Sequence, residues 1–156
     1  MTIGTASALL GGEAKMVVTA PDPHPATPPA ADMYTGQEVR ADRLDTSCEF
    51  SRATEGGVAR LSISITTMRK IDPEFAALLD HCGGNRVALK GLGNEAYQCA
   101  KPGTEQSAQS MIVGRVRNRA FVIEIALGLK KADAAGQKKL SEEVEFGAEQ
   151  VAGNLF

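Results

Sequence analysis

Two stretches of this chain alternate apolar and polar residues with a period of two. Between Val58 and Thr67, Leu61, Ile63 and Ile65 point one way and Ser62, Ser64 and Thr66 the other. Between Ala120 and Leu127, Phe121, Ile123, Ile125 and Leu127 share one side. Alternation of this kind marks strands with one buried face. Each stretch has a neighbour at hairpin distance. Ser47–Arg52, with Cys48 and Phe50 on one face, is joined to the first through Thr54-Glu55-Gly56-Gly57. Ser110–Arg117 is joined to the second about Asn118, a residue that tolerates left-handed turn geometry. Glu95–Ala100 reads as a fifth, weaker strand, and Lys15–Val18 as a candidate short one.

The remaining apolar positions follow a helical period. Asp72 is a cap residue, Pro73 suits a first helical position and Glu74 suits the positive end of the dipole. Phe75, Leu78, Leu79 and Cys82 then fall at i, i+3, i+4 and i+7, and Gly83-Gly84 ends the segment. A last helix is expected from about Asp133 to Asn154, with Leu140, Val144, Ala148, Val151 and Leu155 as its stripe. A short one is expected over residues 5–12, capped by Thr5 or Ser7, greased by Leu9 and Leu10 and stopped by Gly11-Gly12. Short connections and amphipathic strands predict an α+β fold in two layers: an antiparallel sheet of about five strands with the helices packed on one face. With 156 residues the chain is expected to form a single domain, 1–156. Within it residues 19–45 read as a Pro-rich extended loop. Five prolines between Ala20 and Asp32 deny a ladder or helix its N–H donors.

Composition narrows the function. A net charge of −2 argues against bulk attraction to nucleic acid, which needs many lysine and arginine contacts to phosphate. Five Phe, two Tyr and no Trp leave few aromatic faces for base stacking once the core is filled. No apolar run reaches the length of a membrane span. The first ten residues lack the basic start and continuous apolar core of a signal peptide. Either the chain is cytoplasmic or a leader has been removed.

The three cysteines, Cys48, Cys82 and Cys99, match no zinc spacing, and only His24 and His81 could join them. Neither a metal site nor a cofactor is expected. Cys82 would close a helix and Cys99 lies in a strand 17 residues later. A bridge between them would staple helix to sheet and stabilise by roughly 3 kcal/mol on the chain-entropy model. A bridge from Cys48 to either, or three buried thiols, are the alternatives.

Several short motifs occur in a fixed order: Ala-Ser-Ala-Leu-Leu-Gly-Gly-Glu-Ala, the Pro-rich loop, Ser47-Cys48-Glu49-Phe50 with an alternating strand, then Gly91-Leu92-Gly93-Asn94-Glu95-Ala96-Tyr97, a hairpin and a terminal helix. In this order the chain resembles the secreted or lipoprotein-type α+β domains of bacteria that are known only as domains of unknown function. The resemblance implies an extracytoplasmic setting and no known chemistry. Members often carry a cysteine in the first helix, paired with the Cys48 position. Here Ala6, Ser7 and Ala8 stand in that helix, which removes that bridge.

No residue set reads as catalytic. Gly91-Leu92-Gly93 leads into a strand and not into the helix that phosphate cradling needs, so these glycines serve turn geometry or close backbone packing. His81 and Cys82 are adjacent on a helix and cannot face each other as a nucleophile pair. Glu142, Glu145 and Glu149 share one side of the last helix, where a solvated face accounts for them. Arg115, Arg117 and Arg119 surround the Asn118 turn. Arginine forks bind carboxylate or phosphate, so this tip is the best candidate contact for a small anionic group. Charged strand ends that resist aggregation are the rival account. The expected function is a non-catalytic, extracytoplasmic binding or scaffolding domain whose partner is a protein or cell-envelope component. The alternatives are an enzyme with an unrecognised hydrolase-like site, which a deep polar pocket holding His81 or clustered acids would favour, and a cytoplasmic packing module with reduced thiols.

Overall fold

The structure, a computed structural model, describes residues 1–17, 43–80, 82, 85–99, 107–128 and 134–156. Its elements run α1 (Ile3–Leu9), β1 (Lys15–Val17), β2 (Arg43–Thr54), β3 (Gly57–Met68), α2 (Asp72–Asp80), β4 (Arg86–Leu89), β5 (Glu95–Cys99), β6 (Ser107–Val116), β7 (Arg119–Gly128) and α3 (Ala134–Gly153). The fold is α+β, and every strand pairing is antiparallel.

Among the described residues the sheet has seven strands in the order β1-β2-β3-β7-β6-β5-β4, not about five. One added strand is β1, the candidate at Lys15–Val17. The other is β4, whose Arg86, Val87 and Ala88 are exposed. A short edge strand with wet side chains leaves no alternation to read. Of the Pro-rich stretch 19–45, residues 43–45 extend β2 in register with Thr66 to Met68 of β3. The rest of that stretch lies outside the described residues.

The chain leaves β3, third in the sheet, passes through α2 to the far edge at β4, and meanders back through β5 and β6 to the central strand β7 beside β3. Strand parity then separates two apolar clusters. Phe50, Leu61, Ile63, Ile112, Phe121, Ile123 and Ile125 meet α1 and α3 on one face. Met111, Val113, Ala120 and Cys99 meet Phe75 and Leu79 of α2 on the other. The helices therefore do not share one face. Adjacent residues of β6, Ile112 and Val113, belong to different clusters because successive side chains of a strand point oppositely. Burial of both faces along β6, where Met111 through Gly114 are all buried, is the consequence.

The predicted stripe of α3 is the buried one: Leu140, Val144, Ala148, Val151 and Leu155 all lie in the core. Gly147 lets the helix come close, since a Cβ there would meet the Ile123 side chain at 2.7 Å. Gln98 anchors the same helix, its amide donating to Ser141 Oγ at 2.6 Å. The cap of α1 is Thr2 rather than Thr5 or Ser7, because Thr2 Oγ1 accepts from the Thr5 N–H. In the β6–β7 turn the positive φ of 55° falls on Arg117, not on Asn118. Cys82 and Cys99 are paired at disulfide distance, with Cα atoms 4.9 Å apart, tying the end of α2 to β5. Cys48 is a free, half-buried thiol.

Candidate functional site

The β6–β7 turn is held in place by two neighbours. The end of β3 reaches it through the Met68 N–H, which donates to the Asn118 carbonyl at 3.0 Å. The Gly91-Leu92-Gly93-Asn94 segment reaches it from the other side. The Asn94 N–H donates to the Arg115 carbonyl at 2.9 Å, and the Arg117 N–H donates to Asn94 Oδ1 at 2.6 Å. Positive φ at Gly91 (78°) and Gly93 (68°) makes this connection between β4 and β5 tight, and Leu92 drops into the core. The glycines thus serve turn geometry.

Because β3 ends beside the turn, Arg69 and Lys70 stand next to Arg115 and Arg117. With Asp72 and Asn118 they line an open notch of about 610 Å³ at the start of α2. Four cationic side chains border it against one carboxylate. Arg115 is committed inside the notch. It pairs with Asp72, meets Glu95 at 3.4 Å, and lies over the Phe75 ring with 5.6 Å to the centroid. Arg117 donates to the Phe156 carbonyl at 3.0 Å and its guanidinium lies 6.0 Å from that ring's centroid.

The three predicted arginines are therefore only partly brought together. Arg115 and Arg117 line the notch. Arg119 pairs in register with Val116, on the α3 face, and donates to the Leu155 carbonyl at 2.9 Å. The alternation that defines the strand sends Arg115 and Arg119 to opposite faces. Sequence reasoning missed Arg69 and Lys70. The signal was present as a basic pair one residue short of the Asp72 cap, but nothing local says that this pair ends beside the Asn118 turn.

The other singled-out groups do not converge. His81 lies outside the described residues. Glu142, Glu145 and Glu149 are exposed on α3, and Glu142 faces Lys138 at 3.9 Å. Among the described residues no group of three or more His, Cys, Asp or Glu is placed to hold a metal ion. None of the described helices is long and apolar enough to cross a membrane.

Among the described residues three titrating groups stand apart from their ordinary values. Burial pushes the Cys48 thiol up, with a smaller opposing pull from the amino terminus. The hydrogen bond to Glu95 raises the Tyr97 phenol. Burial raises the Glu143 carboxyl, and Lys139 at 3.7 Å pulls it partly back. None of these borders the notch. A notch of this kind can hold an anionic group by charge and hydrogen bonding. No protein-family model matches the chain, and no curated protein matches it significantly. Fold and site together define an α+β domain with a basic notch at one end of its sheet.

Proposed function

We propose that this chain is a non-catalytic, extracytoplasmic binding domain whose notch receives an anionic group of a protein or cell-envelope partner. The observation that carries the reading is the convergence of Arg69, Lys70, Arg115 and Arg117 on one opening in a chain of net charge −2. Arg115, held by Asp72, Glu95 and Phe75, stiffens the wall, while Arg69 and Lys70 are exposed at the rim. The paired Cys82 and Cys99 support an oxidising compartment, where such bridges persist.

A short poly-glutamate peptide and inorganic phosphate are the test ligands, followed by amide NMR. Either is expected to shift Lys70, Arg117 and Asn118 saturably, with log affinity falling as salt rises. Arg69→Glu with Lys70→Glu should abolish the shifts, and Lys70→Glu alone, an exposed side chain, should weaken them with the fold retained. Lys70 is a better position than Arg117 and Arg119, which also grip the carbonyls of Phe156 and Leu155. Unchanged titrations in the double variant would retire the notch as a binding site.

A further inference from the structure

Arg117 stands between two surfaces at one end of the sheet. The notch opens on the α2 face, where Arg115 pairs with Asp72 and lies over Phe75. Segment 154–156, which follows α3, lies on the opposite face. Leu155 belongs to the cluster beneath α1 and α3, and Arg119 holds its carbonyl from that side. Arg117 borders the notch, yet its guanidinium is turned to this segment. It donates to the Phe156 carbonyl at 3.0 Å and lies 6.0 Å from the centroid of the Phe156 ring.

The backbone of Arg117 is unusual for its residue type. Among the described residues it alone is a non-glycine with positive φ, at 55°. Such a position favours glycine or asparagine. Its neighbours enforce the conformation: Asn94 Oδ1 accepts the Arg117 N–H at 2.6 Å, and the Met68 N–H holds the Asn118 carbonyl. A strained residue held by its surroundings points to a use for its side chain. What arginine supplies here, and glycine cannot, is a cation at the border of the notch. The contacts that this cation now makes are weak. Phe156 is 65% exposed, so the ring contact is solvated, and the carbonyl is a neutral acceptor. An anion is the stronger acceptor for a guanidinium.

We infer that segment 154–156 is a built-in antagonist of the notch and that Arg117 is the switch between them. The inference rests on the reading of the notch as an anion site. In the free chain Arg117 is docked on Phe156. When an anionic group enters beside Lys70 and Asn118, the guanidinium leaves the Phe156 carbonyl and ring and turns over the sheet end to meet it. The two positions lie on opposite faces, so the side chain serves one at a time. Arg119 keeps Leu155 in place, and only residue 156 is released. The coupling is reciprocal: a bound anion loosens Phe156, and loss of the Phe156 contact tightens anion binding.

Inorganic phosphate is the probe, titrated at fixed ionic strength into the whole chain and followed by the amide signals of Lys70, Asn118 and Phe156. All three are expected to move with one midpoint. Phe156→Ala removes an exposed ring without changing the charge, so the fold is retained. It should tighten phosphate about two- to fivefold, the worth of an exposed cation–π contact. Arg117→Gly suits the left-handed backbone. It should weaken phosphate, leave Phe156 unmoved by it and erase the gain from Phe156→Ala in the double variant. Equal phosphate affinity in the parent and Phe156→Ala, a gain that persists without Arg117, or a Phe156 signal that stays still while Lys70 and Asn118 move would each overturn the switch and leave the notch an anion site. Absence of saturable shifts in the parent and in Phe156→Ala alike would retire the notch, and the switch with it.

Discussion

Gly93 and Arg115 meet through their backbones: a Cβ on residue 93 would lie 2.5 Å from the Arg115 carbonyl oxygen. The same carbonyl accepts the Asn94 N–H, so the β4–β5 connection is locked to the end of β6 at a point that admits no side chain. Gly93→Ala combines a positive φ with that collision and is expected to cost about 2–4 kcal/mol. Urea unfolding should show a lower midpoint with an unchanged slope. Because the lock also positions Arg117 through Asn94, the variant should weaken anion binding at the notch before the fold is lost. A Gly93→Ala chain as stable as the parent would show that the connection is not held there.

The Cys82–Cys99 pair closes a loop of 17 residues between α2 and β5. Reduction should raise the mass by about 2 Da, and loss of the bridge should cost roughly 3 kcal/mol. The cluster of Ile71, Phe75 and Leu79 against Met111 and Val113 depends on α2 staying in place. Hydrogen exchange in Cys82→Ser with Cys99→Ser should therefore accelerate first in α2 and β4, with β3 and β7 protected. Uniform acceleration across the sheet would contradict two separable clusters.

Glu143 supplies a pH dependence whose sign is fixed. Its folded-state value is raised, so the folded chain holds the proton more strongly than the unfolded one. The contribution to stability is present below the unfolded glutamate value and is lost as pH rises through the raised folded value. Glu143→Gln should abolish that fall while changing stability at neutral pH by less than about 1 kcal/mol, because the ion pair with the exposed Lys139 contributes little. The comparison is made by thermal unfolding across the acidic range. A parent whose stability rises through that window relative to Glu143→Gln would reverse the sign argued here.

Gln98 joins β5 to α3 through Ser141 and also approaches Ser110, the buried polar residue of β6, at 3.4 Å. Gln98→Ala leaves Ser110 and Ser141 short of a partner and is expected to cost ~1–2 kcal/mol. Gln98→Met, which keeps the volume and loses the donor, should cost a similar amount. A much smaller loss in the methionine variant would assign the effect to packing instead.

Cys48 should behave as a sluggish thiol. Burial raises its value, so the reactive thiolate is scarcer at neutral pH than in a free cysteine. Its rate with a disulfide reagent is expected to lag that of free cysteine by several-fold and to recover as pH rises or the chain unfolds. A rate equal to free cysteine would place it at the surface.

The elements legible from the residues were those whose signals are local. The alternation of Leu61, Ile63 and Ile65 in β3, the stripe from Leu140 to Leu155 in α3 and the Asp72-Pro73-Glu74 start of α2 are each written within one turn or one pleat. They survive because those apolar side chains had a core to enter or, as with Ile65, to pack against. The β4 strand was not legible, since an edge strand with Arg86, Val87 and Ala88 in solvent carries no period. Half of the notch was legible for the same reason in reverse. Arginines around a turn mark a charged tip, but Arg69 and Lys70 arrive there only through the register of β3 with β7.

Local pattern alone therefore settled the element types, the antiparallel character and the greasy face of the last helix, because propensity and periodicity act over a few neighbouring residues. Folding in three dimensions settled which sheet face each helix covers, the place of β4, the sorting of Arg115 and Arg119 to opposite sides, and the meeting of Arg117 with Phe156. Those depend on the side from which a chain crosses a sheet and on which distant strands share hydrogen bonds. No window of contiguous residues contains that information.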